Sequence, residues 1–211
     1  MDNLIYERQF IAQGKKLVAG VDEVGRGPLA GPVVCAAVIM PTDVMIEGVT
    51  DSKKLSEKKR EYLAEKIKEK AVAYKIFEID QNVIDDINIL NAVKKCMEGA
   101  VNSLSVKPDA VIVDGLDTGL KLNAAAVEYV VKGDLKSYNV SCASIIAKVY
   151  RDNLMKEYAN EFPEYGFEKH KGYGTKEHID KIREIGPCAI HRKTFIKNFW
   201  EDREKKEPKN T

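Results

Sequence analysis

The chain has 211 residues, of which 44% are hydrophobic and 32% charged, and its net charge at neutral pH is +1. This length allows one large domain or two small ones, and the composition is typical of a globular protein. No apolar run approaches the ~20 residues that a membrane-spanning helix requires, and the N-terminus does not resemble a signal or transit peptide. We therefore expect a cytoplasmic protein with no membrane partner, and we expect it to be a monomer.

In the first half of the chain, short apolar runs alternate with helical patterns. Two runs joined by a Gly/Pro-rich connection predict a hairpin, and a third predicts another strand. Ser56 is a candidate N-cap for a charged helix with Leu63 and Ile67 facing inward. The predicted strands are residues 16–22, 32–40 and 72–79, and the predicted helices are residues 56–70 and 87–104. The apolar stripe of the second helix is Leu90, Val93, Met97, Val101 and Leu104.

The second half continues the alternation. Two further runs predict strands at residues 109–115 and 126–134, and a long helix is expected to end before Pro163. After a loop rich in Gly and His, a last helix is expected to stop at Gly186–Pro187. The long helix covers residues 139–161, with Ala143, Ile146, Ala147, Tyr150 and Leu154 on its apolar face, and the last helix buries Ile179, Ile182 and Ile185.

Together these elements predict one α/β domain over residues 1–211. We expect a central mixed β-sheet flanked by helices, because strands alternate with helices and the first two strands form an antiparallel hairpin. We expect a helical C-terminal segment, followed by a polar, frayed tail over residues 197–211.

Cysteine and histidine spacing argues against zinc and against a disulfide framework. The cysteines form no CxxC pair, which favours buried, reduced thiols. The histidines lack the close spacing of a zinc site, and we expect no cysteine near enough to complete one. The residues concerned are Cys35, Cys96, Cys142 and Cys188, together with His170, His178 and His191.

Carboxylates follow three of the apolar runs. Asp22 and Glu23 follow the first strand, while Asp114 and Asp134 follow two later ones. In an open α/β sheet, residues at the carboxyl ends of strands line the ligand crevice. Gathered there, these carboxylates would repel one another unless a cation neutralised them, and oxygen ligands select Mg²⁺ or Mn²⁺ over zinc. A single Asp of this kind is usually a turn residue or helix cap, but the repetition favours a metal site suited to phosphoryl transfer.

The segment "GVDEVGRGPLAGPVV" places glycines at positions 25, 27 and 31. The third glycine misses the dinucleotide-binding fingerprint by one position, and the segment lacks the ending of a P-loop. Glycines on both sides of Arg26 could let main-chain groups approach a ligand closely, or they could form an ordinary tight turn. The adjacent acids and prolines favour a functional role.

Two segments are locally basic although the chain as a whole is almost neutral. Residues 169–193 contain seven Lys or Arg and three acidic residues, and residues 51–60 contain five and two. Such patches are usually solvated surface, so on their own they do not establish a polyanionic partner.

Seven motifs in series resemble bacterial ribonuclease HII, the type 2 ribonuclease H. They are GVDEVGRGPLAGPVV, DSKKLSEKKR, VDG, KGD, ASIIAKVYRD, YGFEKHKGYGTKEH and GPCAIHRKTF, and they span residues 17–196. Each motif alone is weak, but the series is highly specific. The resemblance implies a ribonuclease H-like α/β fold. Because only nineteen residues precede Gly20, we expect no substrate-binding domain of the kind found in type III enzymes.

The resemblance also implies an activity. Enzymes of this family cleave the RNA strand of RNA–DNA hybrids, and they nick DNA duplexes 5′ of an embedded ribonucleotide, leaving 3′-hydroxyl and 5′-phosphate ends. The family's acidic catalytic positions fall on Asp22, Glu23, Asp114 and Asp134, which are expected to hold Mn²⁺ or Mg²⁺.

Further residues have implied roles in binding the duplex. Gly25, Arg26 and Gly27 are expected to contact the ribose 2′-hydroxyl, which both donates and accepts hydrogen bonds. Tyr173 is expected to be exposed and to stack on the following deoxyribose. Asp152 is expected to form salt bridges rather than to bind metal. The candidates for phosphate contacts are Lys53, Lys54, Lys169, Lys171 and Lys176.

Two alternatives remain open from the sequence. One is a non-catalytic protein that binds RNA–DNA hybrids, although such a protein would gain nothing from carboxylates that repel phosphate. The other is a metal-dependent phosphatase of small molecules, which would leave the basic C-terminal third unexplained.

Overall fold

The computed structural model describes residues 3–204, without the side chains of residues 199 and 201–204. The strands are β1 (Val18–Val24), β2 (Val33–Ile39), β3 (Ala73–Ile79), β4 (Ala110–Asp114) and β5 (Ala126–Val130). The helices are α1 (Ile5–Ala12), α2 (Glu57–Lys70), α3 (Gln81–Asn102), α4 (Tyr138–Glu161), α5 (Phe167–His170), α6 (Lys176–Ile185) and α7 (Lys193–Glu204). Short 3₁₀ turns lie at Ser52–Lys54, Gly133–Leu135 and Pro163–Tyr165. Every helix in the described range is too short or too polar to traverse a bilayer.

The five strands form one mixed sheet in the order β3-β2-β1-β4-β5. β2 pairs antiparallel with β1 and with β3, whereas β4 runs parallel to both β1 and β5. The predicted hairpin and the predicted mixed sheet are therefore confirmed. Because β1, β4 and β5 run in the same direction, their carboxyl ends meet at one edge of the sheet.

Helices cover both faces of this sheet. α3 packs on one face against β1, β2 and β3, and α2 and α4 pack on the other. β2 is buried along its whole length, as expected for a strand covered on both sides. At Gly20 a Cβ would lie 2.2 Å from the main chain of Asn139 and Val140, so only glycine allows α4 to approach β1 this closely. The first turn of α4 is thereby fixed beside β1.

The α2 helix agrees with its prediction, whereas α3 differs from it. The Ser56 hydroxyl accepts a hydrogen bond from the Lys59 amide at the start of α2. In α3, Asn88 has φ 64° and interrupts the helix, and its side chain then accepts hydrogen bonds from the next turn. Leu90 lies in that turn and is 66% exposed. The predicted burial of Leu90 is therefore wrong, and the buried stripe begins at Val93.

In its second half, the α4 helix buries a different side from the one predicted. Ala143, Ile146 and Ala147 are buried as expected, but Tyr150 is exposed. Arg151 is fully buried instead, since this half of α4 packs against the glycine loop that connects β1 and β2 rather than against the sheet.

The C-terminal region is helical, as predicted. The Gly/His-rich segment contains the short helix α5, and α6 packs beside it through the buried Ile182, although Ile185 is exposed. The α7 helix continues to Glu204, so the first part of the segment expected to fray is helical, and fraying of the tail stays a prediction. Residues 205–211 lie outside the described part of the chain.

Candidate active site

Asp22, Glu23 and Asp114 meet where β1 and β4 end. Val21 pairs with Val113 in the parallel β1–β4 ladder, so the next residues, Asp22 and Asp114, are neighbours at the edge of the sheet. One carboxylate oxygen from each of the three residues lies within 4.8 Å of the other two. We call these three residues the acidic cluster.

The pKa values of Asp22 and Glu23 are raised by burial and by the neighbouring carboxylates. Burial raises the pKa of Asp22 well above its ordinary value, and the charges of Glu23 and Asp114 raise it further. Burial also raises the pKa of Glu23, although the guanidinium of Arg26 lowers it, since Arg26 Nη1 lies 3.2 Å from Glu23 Oε1. The hydroxyl of Ser144 favours the charged form of Asp22. The negative charges of the cluster therefore repel one another, and the protein groups around them do not fully compensate this repulsion.

The donor set fits a hard divalent cation. The acidic cluster offers only oxygen ligands, and three negative charges lie close together in a partly buried setting. A cation of this kind prefers carboxylate oxygens, and its charge would remove the repulsion that raises the pKa of Asp22.

Asp134 lies beside the acidic cluster but is not one of the residues whose oxygens meet within 4.8 Å. It occupies the 3₁₀ turn after β5, and the Gly133 amide of that turn donates a 2.6 Å hydrogen bond to Asp114 Oδ1. Burial raises the pKa of Asp134, the charge of Asp114 raises it further, and Lys53 lowers it. Asp134 is therefore close enough for electrostatic interaction with the cluster, while its role as a ligand stays a prediction.

A cavity of about 330 Å³ opens beside the acidic cluster. Five polar or aromatic residues line it together with the carboxylates, and two of them, Lys53 and Tyr173, were expected to contact the duplex. The other three, Ser52, Ser144 and Lys148, were not predicted, and the last two belong to α4. The cavity therefore combines acidic, basic and aromatic side chains from distant parts of the chain.

The polar residues of α4 form a supporting row. Ser144, Lys148 and Asp152 lie at intervals of four residues, so they share one side of the helix. The hydroxyls of Ser144 and Ser52 lie 2.9 Å apart. Asp152 pairs with Lys148 at 2.6 Å and with Arg60 at 3.7 Å, and Arg60 also donates to the main chain of Ser52. Asp152 thus forms the expected salt bridges, and the spacing of this row was a signal that sequence reasoning missed.

The predicted phosphate-binding lysines lie in different places. Lys53 lines the cavity of the acidic cluster, whereas Lys54 lines a neighbouring cavity. Lys169 and Lys171 lie at the end of α5, where their ammonium groups contact Glu177 and the Glu168 carbonyl, respectively. Lys176 is exposed at the start of α6. Of the five, Lys53 is the one positioned at the cluster.

Tyr173 faces the Gly-Arg-Gly segment. Its side chain is 42% exposed, in agreement with the expectation. A Cβ built on Gly27 would lie 3.9 Å from Tyr173 Cε1, so the ring stands opposite the loop. Gly25 has φ +94°, a conformation that glycine adopts without strain. The two elements expected to contact the sugars on either side of the cut are therefore adjacent.

A chain of buried histidines holds the Tyr173 segment. His178 Nδ1 donates to the Tyr173 carbonyl at 2.9 Å, His178 Nε2 and His191 Nε2 are 3.0 Å apart, and the Cys188 amide donates to His191 Nδ1. Burial lowers the pKa of His178 to about 4 and that of His191 to about 3, so both are neutral at pH 7. The Cys188 sulfur lies 3.1 Å from His191 Nδ1, closer to a histidine than the sequence suggested. Burial raises the pKa of Cys188 to about 11, which disfavours the thiolate that a zinc site would need.

Comparison with known proteins gives a consistent result. A family model described as Ribonuclease HII matches residues 19–202. The Ribonuclease HII of Acetivibrio thermocellus is 52% identical over 201 residues, which cover 94% of this chain and 77% of the relative. That of Caldicellulosiruptor saccharolyticus is 51% identical over 194 residues, which cover 92% of this chain and 93% of the relative.

Solved structures share the fold. The ribonuclease H2 from Pyrococcus horikoshii OT3 is similar with a TM-score of 0.75 at 31% identity, covering 89% of this chain and 99% of that one. The Bst-RNase HIII structure in complex with Mn²⁺ has a TM-score of 0.68 at 18% identity, covering 97% and 73%. The second likeness concerns the fold alone. The predicted ribonuclease H-like α/β fold is confirmed.

Proposed function

The chain belongs to the ribonuclease HII family, and from this membership and the acidic cluster we propose that it hydrolyses the RNA strand of RNA–DNA hybrids. We extend the proposal to DNA duplexes, which it would nick 5′ of an embedded ribonucleotide, leaving 3′-hydroxyl and 5′-phosphate ends. The proposal depends above all on the meeting of Asp22, Glu23 and Asp114 within 4.8 Å. A protein that only bound hybrids would not need this concentration of negative charge beside a phosphate-binding surface.

Asp22, Glu23 and Asp114 would hold the divalent ion, and Mn²⁺ or Mg²⁺ is the ion that their oxygen atoms suit. Asp134 is the proposed fourth acidic residue. When bound, such an ion acts as a Lewis acid on the phosphodiester and activates the attacking water.

Two lysines would neutralise the substrate phosphate. Lys53 and Lys148 line the same cavity as the acidic cluster, so both can meet a phosphate that enters it. Asp152 holds the Lys148 ammonium at 2.6 Å and thereby fixes its direction. The acidic cluster alone would repel an approaching phosphodiester, and the positive charge of these lysines would attract it.

The Gly-Arg-Gly loop and Tyr173 would select the sugar on each side of the cut. Main-chain donors and acceptors at Gly25, Arg26 and Gly27 suit a 2′-hydroxyl, which needs both. The exposed ring of Tyr173 offers a surface for stacking on the deoxyribose that follows. This arrangement supports recognition of a ribonucleotide–deoxyribonucleotide junction.

A duplex with one embedded ribonucleotide tests the proposal. With Mn²⁺ present, we expect a single cut 5′ of the ribonucleotide in the labelled strand, because the acidic cluster and the loop act together only at that position. An all-DNA duplex of the same sequence is the control, and it should remain intact, as should both duplexes in EDTA. Salt-sensitive binding without any metal-dependent cut would instead support the hybrid-binding alternative.

Other aspects of the proposal rest on sequence patterns alone. A monomeric state, a cytoplasmic location, and phosphate contacts by Lys54, Lys169 and Lys171 stay predictions. The balance between hybrid degradation and nicking at single ribonucleotides is to be measured by the same assay with both substrates.

A further inference from the structure

Two arginines are completely buried, and within the described residues their side chains donate hydrogen bonds to main-chain carbonyls alone. Arg151 and Arg192 are both 0% exposed. Neither forms an ion pair with a carboxylate within the described residues. Burial lowers the pKa of Arg151 to about 10 and that of Arg192 to about 9, which shows how unfavourable the setting is for a cation. Burying a charge in this way is costly, so each guanidinium must be compensated by its hydrogen bonds.

Arg192 donates three hydrogen bonds to the glycine loop. Its Nη2 donates to the Gly25 carbonyl at 2.6 Å, its Nη1 to the Arg26 carbonyl at 2.9 Å, and its Nε to the Gly31 carbonyl at 3.0 Å. The main chain of residue 192 also donates to the Leu29 carbonyl at 2.8 Å. A single residue after α6 therefore fixes both ends of the loop.

The two carbonyls of Gly25 and Arg26 belong to the peptide groups whose N–H atoms are those of Arg26 and Gly27. In a planar trans peptide the N–H points away from the carbonyl. Within residues 3–204, the amides of Arg26 and Gly27 donate to no protein acceptor. Arg192 thus holds the carbonyl side of each peptide group, while the N–H side has no acceptor among the described residues and is available to a ligand.

A charge-assisted hydrogen bond at a carbonyl also polarises its peptide group. Hydrogen bonds in a chain strengthen one another, so a cation at the carbonyl makes the N–H of the same group a better donor. Arg192 can therefore contribute both the orientation and the donor strength of the Arg26 and Gly27 amides.

The guanidinium of Arg151 also donates three hydrogen bonds to main-chain carbonyls, but its partners are different. It donates to the carbonyls of Ala30, Pro32 and Lys171, at 3.1, 3.0 and 2.9 Å. These contacts join the far side of the loop to the segment before Tyr173. Of the two arginines, only Arg192 donates hydrogen bonds to the carbonyls of Gly25 and Arg26, whereas Arg151 binds the far side of the loop.

We propose that Arg192 is a positioning residue for recognition of the ribose 2′-hydroxyl, because it orients and polarises the Arg26 and Gly27 amides that meet this hydroxyl. The inference rests on the proposed function of the site. It assigns to Arg192 a share of the discrimination between ribose and deoxyribose, although Arg192 itself is buried and does not touch the substrate.

Binding without turnover tests this role. Wild type and Arg192→Lys are titrated, with Ca²⁺ replacing Mn²⁺, against two duplexes that differ only in one ribonucleotide or deoxyribonucleotide. A lysine retains the charge but cannot form the three hydrogen bonds that the planar guanidinium of Arg192 donates. We expect Arg192→Lys to weaken binding of the ribonucleotide duplex about tenfold, the usual scale for a charge-assisted hydrogen bond. Binding of the all-DNA duplex should stay within about twofold, because the loss concerns only the hydroxyl contact.

Arg151→Lys is the matched control. It removes an equally buried guanidinium with three hydrogen bonds, so it should lower the melting temperature by a similar amount. It should nevertheless retain the ratio of the affinities for the ribonucleotide duplex and the all-DNA duplex. A preserved ratio in Arg192→Lys would overturn the inference, as would an equal loss in both variants or a wild-type ratio near one. Cleavage of the ribonucleotide duplex by the wild type is measured separately, so that failure of the proposed function is distinguished from failure of this inference.

A semisynthetic variant keeps the test decisive if Arg192→Lys does not fold. Cys142 follows Ser141 and is a suitable ligation point, so a synthetic segment of residues 142–211 can introduce citrulline at position 192. Citrulline is nearly isosteric with arginine but uncharged. We expect the same loss of discrimination, and discrimination equal to that of the ligated wild-type chain would contradict the role of Arg192.

Discussion

Asp22→Asn is expected to reduce the turnover rate by more than about 100-fold, the upper range for loss of a residue that only supports a metal ligand. The reason is that Asp22 is the buried member of the acidic cluster, and its carboxylate lies within 4.8 Å of those of Glu23 and Asp114. Removing its charge also removes the repulsion that raises its pKa. We therefore expect the metal-free variant to be at least as stable as the wild type. The measurements are single-turnover cleavage of the one-ribonucleotide duplex and thermal unfolding in EDTA.

Asp43→Asn is the control for this substitution. Asp43 is exposed in the loop after β2, at the end of the sheet opposite the acidic cluster, and the same change there should leave the rate unaltered. Full activity of Asp22→Asn, or equal losses in the two variants, would remove Asp22 from the proposed site.

Gly27→Ala is expected to reduce cleavage of the one-ribonucleotide duplex by about 100-fold, the scale for a misplacement of about 1 Å at a reacting group. The added methyl group would lie in the space between the loop and Tyr173, 3.9 Å from Cε1. This is an ordinary contact, and within the described part of the chain no other atom beyond the adjoining residues lies within 4 Å of that position. We therefore expect the folded protein to tolerate the change while the sugar of the substrate does not. Steady-state cleavage and thermal unfolding measure the two effects.

Gly25→Ala provides the opposite case. At Gly25 a Cβ would lie 2.3 Å from Arg151 Nε, and the residue has φ +94°. That variant should lose stability as well as activity, because Arg151 would be displaced from the loop. A Gly27→Ala variant with the wild-type rate would show that the substrate does not approach this part of the loop.

Much of the site was predictable because strand ends are visible in the sequence. Apolar runs that stop at an acidic residue placed Asp22, Glu23 and Asp114 at the carboxyl ends of strands, and the structure brings them together. Asp134 follows β5 by a longer turn, so its position depends on a 3₁₀ conformation that the pattern did not indicate.

The supporting residues could not be found in the same way. Arg151 and Arg192 are buried cations, and arginine is normally exposed, so neither composition nor periodicity indicated that they hold the glycine loop. The exposed position of Leu90 depends on one residue, Asn88, whose positive φ divides α3. Such effects arise from tertiary contacts and local conformations rather than from the apolar pattern.

Titration calorimetry with Mn²⁺ tests the central claim most directly, namely that the acidic cluster forms one divalent-cation site. Wild type, Asp43→Asn and Asp22→Asn are compared, with and without an all-DNA duplex that is not cleaved. We predict that wild type and Asp43→Asn bind Mn²⁺ alike, and that Asp22→Asn binds it at least about tenfold more weakly. Equal Mn²⁺ affinity in all three proteins, under both conditions, would contradict the account.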